Sequence, residues 1–598
     1  MTKEEALKKY FGYDRFYPLQ AEIIDHVRAG KSALVLMPTG GGKSVCFQIP
    51  AVMARGVTVV ISPLIALMKD QVDGLQANGI SAAFLNSTQT EEESRDVYRR
   101  CLAGGVKLLY LSPERLSAPG TPGFLRKLDL TLFAVDEAHC ISSWGHDFRP
   151  DYLKLSLLRE QFPSVPLLAL TATADRVIRR DILRQLAIPE PHAFIASFDR
   201  PNLSLAVYSG QKRLEQILRF LAQRKQQPGI IYCLSRKTTE NVAARLTARG
   251  FRAAHYHAGM ENDERSKVQE AFIRDKLQII CATIAFGLGI DKSNIRWIVH
   301  YSLPKNIESY YQEIGRAGRD GAPADTVLFY SYADVKTHHD MIRDAAPERQ
   351  ELLLAKLDRM KRYAEADICR RRMLLSYFNE EPRGDCGNCD VCKNPPQKFD
   401  GTVIAQKALS AVYRTGENIT MSTLIQILRG SHSASLRESG YDRIKTFGAG
   451  RDIPYGIWAE YIFQLLNMGC VDIAYDEGSA LKLNDLSRKI LKAETTVMLT
   501  RPAEMEKKLD TIAAPAKAKT LGADGLFERL RALRRELADK LNVPAYVVFS
   551  DRTLLEMAEA RPRDEADLLS VSGVGEHKLA RYGKAFLETI RRYGKEES

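Results

Sequence analysis

The residues of this chain that can do chemistry gather in four places. In the first, Pro38-Thr39-Gly40-Gly41-Gly42-Lys43-Ser44 follows the apolar run Ala33–Met37 and precedes a helical pattern. Glycines there let backbone N–H groups close around phosphate oxygens. Lys43 reaches the β- and γ-phosphates, Ser44 Oγ stands where Mg²⁺ is held, and the helix N-terminus adds positive potential. The strict G-x-x-x-x-G-K-[ST] pattern is missed at its first position, which is Met37. In the second place, Leu132-Phe133-Ala134-Val135 delivers Asp136-Glu137-Ala138-His139. Two acids at a strand tip suit a phosphate-transfer site, with Asp136 toward Mg²⁺ and Glu137 orienting and activating the attacking water. A helix N-cap is the competing reading of such a pair.

The third place is Gln312-Glu313-Ile314-Gly315-Arg316-Ala317-Gly318-Arg319. Read as a helix, it sets Arg316 and Arg319 on one face. An arginine there can reach a γ-phosphate across a domain cleft and stabilise transition-state charge. In isolation the segment reads equally as a solvated basic turn. The fourth is Cys386-x-x-Cys389-x-x-Cys392, with Cys369 upstream beside Arg370, Arg371 and Arg372. Four thiolates suit a closed tetrahedral Zn²⁺ site, with an iron–sulfur cluster as the alternative metal.

The elements that must position these groups show in the hydropathy pattern. Short apolar runs at 33–37, 57–61, 107–111, 132–135 and 167–170 alternate with helical stretches. This is the pattern of a parallel α/β sheet. It restarts after about residue 209, with runs at 229–233, 253–256, 277–281, 297–300 and 327–330, so two α/β domains stand in tandem. Residues 335–398 are helical and charged, then Gly/Asn/Cys-rich. Residues 400–500 mix amphipathic helices with a short hairpin at 471–483, and a Pro/Ala/Lys-rich stretch at 512–519 reads as a linker.

Composition narrows the class. The 598 residues carry Lys+Arg 86 against Asp+Glu 74, a net charge of +12, and 45% hydrophobic residues. That length predicts roughly four domains. No apolar run approaches the roughly 20 residues of a bilayer-spanning helix, and the N-terminus has no secretory h-region. A cytoplasmic protein is the expectation. The basic excess favours a polyanionic partner. Cys46, Cys101, Cys140, Cys233, Cys281 and Cys470 stand apart in apolar surroundings and read as core residues.

Together these motifs resemble the superfamily 2 helicases, and more narrowly the RecQ DNA helicases, most closely the bacterial members. Phe11-Gly12-Tyr13 with Phe16 through Gln20 is similar to the family's motif 0, Ser62 through Gln71 to Ia, Leu111 through Leu116 to Ib, and Thr171-Ala172-Thr173 to III. Tyr256-His257-Ala258-Gly259 and Ala282 through Asp291 are similar to motifs of the second domain. The resemblance spans essentially the whole chain. It implies two RecA-like domains (1–205 and 206–335), a zinc-binding helical subdomain (336–398), a winged-helix domain (399–505), a linker (506–521) and a small helical HRDC domain (522–598). It also implies an ATP-dependent helicase that uses Mg²⁺ and Zn²⁺. Such an enzyme moves 3′ to 5′ on single-stranded DNA and opens duplex or branched DNA in recombination, repair and replication-fork maintenance.

Site roles follow from the same resemblance. Tyr13 is expected to stack on adenine and Gln20 to hydrogen-bond its edge, beside a phosphate cradle of Gly40, Gly42, Lys43 and Ser44. Tyr17 stands where family members usually carry arginine, and it cannot supply a guanidinium charge. Trp144, His146, Phe148 and Arg149 resemble an aromatic-rich loop that couples DNA binding to hydrolysis, since aromatic faces stack bases without sequence preference. Arg443, Lys445 and Arg451 are candidate phosphate contacts of the winged helix. Arg429 is the candidate dock for the acidic tail of single-stranded DNA-binding protein. Tyr546 is a candidate base-stacking residue, with core packing as its rival reading. The HRDC region has nearly balanced charge, which makes its DNA affinity weak and auxiliary. A monomer is expected. Three other readings remain open at this point: an ATP-gated DNA clamp that does not unwind, an RNA helicase of the same superfamily, and a DNA-binding regulator.

Overall fold

A computed structural model describes residues 1–598 except 64, 87–88, 143–148, 173, 175, 225, 288–291, 382–383, 396–397, 475–476, 501–524, 542 and 598. Two parallel sheets dominate the first 330 residues. The first comprises β1 (Ala33–Leu36), β2 (Val57–Ile61), β3 (Ala82–Leu85), β4 (Leu108–Leu111), β5 (Leu130–Val135), β6 (Leu167–Thr171) and β7 (Ala193–Ile195), in the order β3-β4-β2-β5-β6-β1-β7. The second comprises β8 (Leu203–Ser209), β9 (Gly229–Tyr232), β10 (Ala253–Tyr256), β11 (Ile279–Ala282), β12 (Trp297–His300) and β13 (Ala324–Tyr330), in the order β10-β11-β9-β12-β13-β8. β1, β2, β4 and β6 are buried along their whole length, because helices cover both faces of the sheet. β3, β7 and β8 have no counterpart among the predicted runs. β3 and β7 are edge strands of four and three residues, apolar throughout but too short to stand out as a run.

The predicted helical reading of the Gln312–Arg319 segment holds only in part. A helix spans Ile307–Ile314 and includes Gln312, but it is capped by Gly315, and residues 315–320 are turns. Arg316 and Arg319 therefore sit on a turn rather than on one helical face. Gly315 and Gly318 weaken the helix there, and the carbonyls left free at its end are taken by side chains from elsewhere in the chain, as described below.

The helix Arg370–Tyr377 and the short helix Asp390–Lys393 carry the cysteines. Residues 398–500 fold as the helices Thr402–Arg414, Met421–Arg429 and Tyr455–Asn467 with two small antiparallel pairs. One of these is the predicted hairpin, Asp472–Ala474 against Ala480–Lys482. Trp458 anchors this unit, fully buried with its Nε1 donating to Gly450 O at 2.9 Å. The helices from Gly525 onward enclose a separate core of Leu526, Leu530, Phe549, Leu554 and Phe586. The six scattered cysteines are all buried, as expected. Among the described residues no helix is long and apolar enough to cross a membrane.

Candidate nucleotide, nucleic-acid and metal sites

Parallel sheets present their strand carboxyl ends to ligands. β1 and β5 both neighbour β6, so the Gly-rich loop and the Asp136-Glu137 pair emerge at one edge, two strand spacings (about 10 Å) apart. The end of β6 ties them together. Thr171 O accepts the Met37 N–H at 3.1 Å, and Thr171 Oγ1 lies 2.9 Å from His139 Nδ1. His139 Nδ1 is also 3.3 Å from Glu137 Oε2. His139 and Thr171 thus orient the two halves of the site. Sequence reasoning named both motifs without assigning them this job.

The loop itself is wound tightly. Gly42 has φ +77, a left-handed conformation that side chains rarely adopt, and a Cβ there would lie 2.4 Å from Gln20 Nε2. Lys43 Nζ donates to Met37 O at 3.1 Å and Pro38 O at 3.4 Å. Burial lowers its pKa, Glu137 and Asp136 oppose that shift, and Arg319 and Arg200 add to it. Ser44 precedes the helix Val45–Met53.

Glu137 adopts φ 49, ψ 45, and its side chain makes no capping bond to the following helical turn, so the N-cap reading of the acidic pair fails. Asp136 Oδ1 accepts the Glu137 N–H at 3.0 Å, and Tyr152 Oη donates to Asp136 O at 3.0 Å. Burial, with the Glu137 charge beside it, pushes the Asp136 carboxyl up to about 7. Asp136 offers carboxylate oxygens and Ser44 a hydroxyl, the hard oxygen donors that Mg²⁺ takes, so the residues fit the ion.

Gln20 departs from expectation. It is 3% exposed, its Nε2 donates to Gly42 O at 3.0 Å, and its Oε1 accepts the Tyr17 N–H at 2.8 Å. Its amide is spent on the loop, because a buried amide without a base edge must find backbone partners. Tyr13 is 44% exposed.

The facing domain closes directly on the loop. A Cβ on Gly40 would stand 3.3 Å from Arg319 Cα, and one on Gly315 would stand 3.1 Å from Thr39 Cβ. Arg316 is buried beside Gly287, and its charge acts on Tyr232, whereas the charge of Arg319 acts on both Tyr232 and Lys43. Gln312 is half-buried on the preceding helix.

Trp144, His146 and Phe148 lie outside the described residues. Arg149, at the end of that segment, donates from Nη1 to Pro63 O at 2.8 Å, and its N–H donates to Cys140 O at 3.0 Å. It anchors the loop base to the segment after β2, which differs from the expected contact with DNA. On the winged helix, Arg443 and Lys445 are exposed and line an open groove with Tyr413 and Arg414. Arg451 is exposed as well and lies along backbone, its Nε 2.7 Å from where a Cβ on Gly430 or Gly448 would stand. Arg429 is exposed at the end of its helix.

The four cysteine sulfurs lie within 4.8 Å of one another, and Cys386 Sγ is 3.9 Å from Cys392 Sγ. A tetrahedral Zn²⁺ with bonds near 2.3 Å sets sulfurs about 3.8 Å apart, so the set fits the ion. Backbone N–H groups of Cys386, Asn388 and Cys392 donate to sulfurs of Cys369, Cys386 and Cys389 at 3.3, 3.4 and 3.4 Å. These bonds orient the thiolates and offset their charge. The neighbouring arginines bind the cluster to the motor. Arg370 Nε and Nη2 grip Asp390 at 3.0 Å each, Asp390 Oδ2 accepts Val207 N–H of β8 at 3.0 Å, and Arg371 Nη1 meets Asp199 Oδ1 at 3.1 Å.

The C-terminal helical unit packs on both motor domains. Gly12, at φ +75, runs against Val574, where a Cβ would come within 2.5 Å of backbone, and Gly12 O accepts Gly573 N–H at 3.0 Å. Lys8 Nζ donates to Leu569 O at 2.8 Å. Asp551 Oδ1 meets Arg534 Nη2 of its own unit at 2.8 Å, and against the second domain Asp551 Oδ2 meets Arg296 Nε at 3.5 Å, while Arg296 also holds Asp320 at 2.7 Å. The Tyr546 ring faces Lys292 Nζ at 5.8 Å, so in this arrangement it lies at a domain contact rather than open to bases. We predict that Asp551→Ala, which leaves Arg296 and Arg534 short of a buried partner, costs this contact about 3–5 kcal/mol. Hydrogen exchange at Gly573, whose N–H crosses to Gly12 O, is expected to rise in the variant. Unchanged protection there would contradict the prediction.

Comparisons with known proteins agree with this layout. Family models match as a DEAD/DEAH box helicase over residues 17–180, a helicase conserved C-terminal domain over 211–321 and RecQ zinc-binding over 332–393. An RQC domain matches over 395–508 and an HRDC domain over 523–590. The "ATP-dependent DNA helicase RecQ" of Pasteurella multocida is 44% identical, over 99% of this chain and 94% of that protein. The protein of the same description from Bacillus subtilis is 39% identical, over 99% of both chains.

Proposed function

The chain belongs to the RecQ family of ATP-dependent DNA helicases, and from that premise we propose how its own residues divide the work. It is an ATP-dependent DNA helicase of 3′ to 5′ polarity that serves repair and recombination and uses ATP, Mg²⁺ and Zn²⁺. The observation that supports the residue assignment is the convergence of Lys43, Asp136, Glu137 and Arg319 where the two sheets face each other.

Gly40, Gly42 and Lys43 cradle the phosphates, and ATP entry draws Lys43 off Met37 O and Pro38 O. Tyr13 and Gln20 receive adenine, with Gln20 turning from Gly42 O to the base edge. Ser44 and Asp136 would hold Mg²⁺, which supplies charge neutralisation for the phosphates when bound. Glu137 orients the attacking water and takes its proton, with His139 and Thr171 fixing its position. Arg319 is the better placed of the two arginines to meet transition-state charge, because it faces Lys43. Arg316, held near Tyr232 and Gly287, fixes the turn that carries Arg319. Gln312 supports that turn from the helix.

On the DNA side, the Trp144–Phe148 segment senses single strands, and Arg443 and Lys445 grip duplex phosphates. Arg429 receives the acidic tail of single-stranded DNA-binding protein. A monomer, acting in the cytoplasm at the nucleoid, completes the proposal, with domains divided at 1–205, 206–335, 336–398, 399–505 and 522–598.

The test pairs ATP hydrolysis with strand separation, with and without single-stranded DNA or RNA. Stimulation by DNA, coupled to unwinding of a duplex with a 3′ overhang, is expected. Stimulation without unwinding would favour an ATP-gated clamp, and stronger stimulation by RNA would favour an RNA motor.

A further inference from the structure

The connector between the two motor domains is held unusually firmly for a linker. Ser197 Oγ and Phe198 N–H donate to the Glu380 carboxylate at 2.6 and 2.7 Å. Phe198 O accepts Tyr311 Oη at 2.6 Å, and its ring stacks on Phe378 with centroids 4.5 Å apart. Arg371 pairs with Asp199. The next residue, Arg200, is braced by all of this, and its guanidinium points into the cleft. Nη1 donates to Thr39 O of the phosphate loop and, at 3.3 Å, to Gly315 O. Nη2 donates to Ala317 O at 3.0 Å and Gly318 O at 2.9 Å. Asn202 Nδ2 backs the same turn, donating to Gly318 O and Ala322 O at 2.9 Å each.

One planar cation thus collects carbonyls from the loop that binds phosphate and from the turn that carries Arg316 and Arg319. We propose that Arg200 is a positioning residue for ATP hydrolysis, a strut that sets the spacing between the phosphate loop and Arg319 each time the cleft closes. Its bonds are unequal. Three acceptors belong to the second domain and only Thr39 O to the first. Opening of the cleft therefore breaks the Thr39 bond and leaves Arg200 riding with the turn, ready to re-form it on closure. A charged donor makes these bonds stronger than neutral ones, and only a rigid fork reaches both sides at once. The turn has free carbonyls because the Ile307–Ile314 helix has just ended, and those orphan groups attract the cation. No step requires Arg200 to touch the nucleotide.

The inference rests on the assignment of Arg319 given above, and the experiment separates the two. Steady-state hydrolysis with saturating single-stranded DNA is compared in the parent, Arg200→Lys, Arg200→Ala, Asn202→Ala and Arg319→Ala. Binding of a fluorescent ATP analogue is measured without DNA. A spacing error of the order of 1 Å predicts that kcat falls about 10- to 100-fold in both Arg200 variants, with KM for ATP and analogue affinity nearly unchanged. Lysine is expected to fail as alanine does, and Asn202→Ala to stay near the parent rate. Arg200→Lys keeps charge and bulk, so it reports even if Arg200→Ala proves unstable in a thermal melt. Parent-like kcat in Arg200→Lys overturns the strut. Analogue affinity that falls with kcat overturns it too, in favour of direct phosphate contact, and an equal loss in Asn202→Ala would mean general loosening of the turn. A parent-like rate in Arg319→Ala defeats the arginine assignment instead.

Discussion

Glu137→Gln is expected to bind ATP as the parent does and to lose DNA-stimulated hydrolysis by about 10²- to 10⁴-fold, the usual worth of a positioned general base. The amide is isosteric, so the contact with His139 Nδ1, 3.3 Å from Glu137 Oε2 in the parent, keeps a polar partner. What disappears is the ability to take a proton from water. The strained φ of 49 stays in place, because it is set by the turn out of β5 and not by the carboxylate. Hydrolysis and analogue binding measured together check this. A variant that keeps more than about a tenth of the parent rate would move the base elsewhere, since loss of a general base costs far more than that.

The second large effect concerns the metal. Cys389→Ser is expected to lose Zn²⁺, to melt the 369–393 region, and to lower hydrolysis although the four clustered cysteines are not part of the phosphate loop. Structural zinc sites carry on the order of 10 kcal/mol of folding free energy, which three thiolates and a hydroxyl do not retain. Cys389 is fully buried and bridges to Leu205, and its neighbour Asp390 is held by Arg370. Loss of the cluster therefore frees β8 from its flank and frees Arg371 from the geometry that grips Asp199, the residue before Arg200. Zinc content by elemental analysis, a thermal melt and the hydrolysis rate give three readouts. A zinc-free variant with parent-like melting and rate would show that the cluster is a passenger.

Much of this chemistry was legible in the residues. The Gly-rich loop, Asp136-Glu137 and the C-x-x-C-x-x-C run are local patterns. Each needs only its own strand, turn or helix to make sense, so a sequence window contains the information. The buried strands of both sheets were legible for the same reason, since burial on two faces demands an apolar run. Edge strands β3 and β7 were not, because apolar runs of four and three residues are too short to tell from apolar spacing elsewhere.

The roles of Arg149, Arg451 and Arg200 were beyond any window. The Arg149 and Arg200 guanidinium groups satisfy carbonyls far away in sequence, and Arg451 packs on Gly430 as well as on nearby Gly448, so little near them in the chain announces those partners. The helical reading of Arg316 and Arg319 failed for a related reason. Helix propensity favours continuation through Ala317, but Gly315 and Gly318 weaken it, and Arg200 and Asn202 then take the carbonyls that a further helical turn would have used. Residue types and local spacing determined which groups could bind phosphate, activate water and hold zinc. Only the tertiary structure decided which arginine faces Lys43 and what spans the cleft, because long-range hydrogen bonds are selected by what folding brings together, not by what is adjacent in the chain.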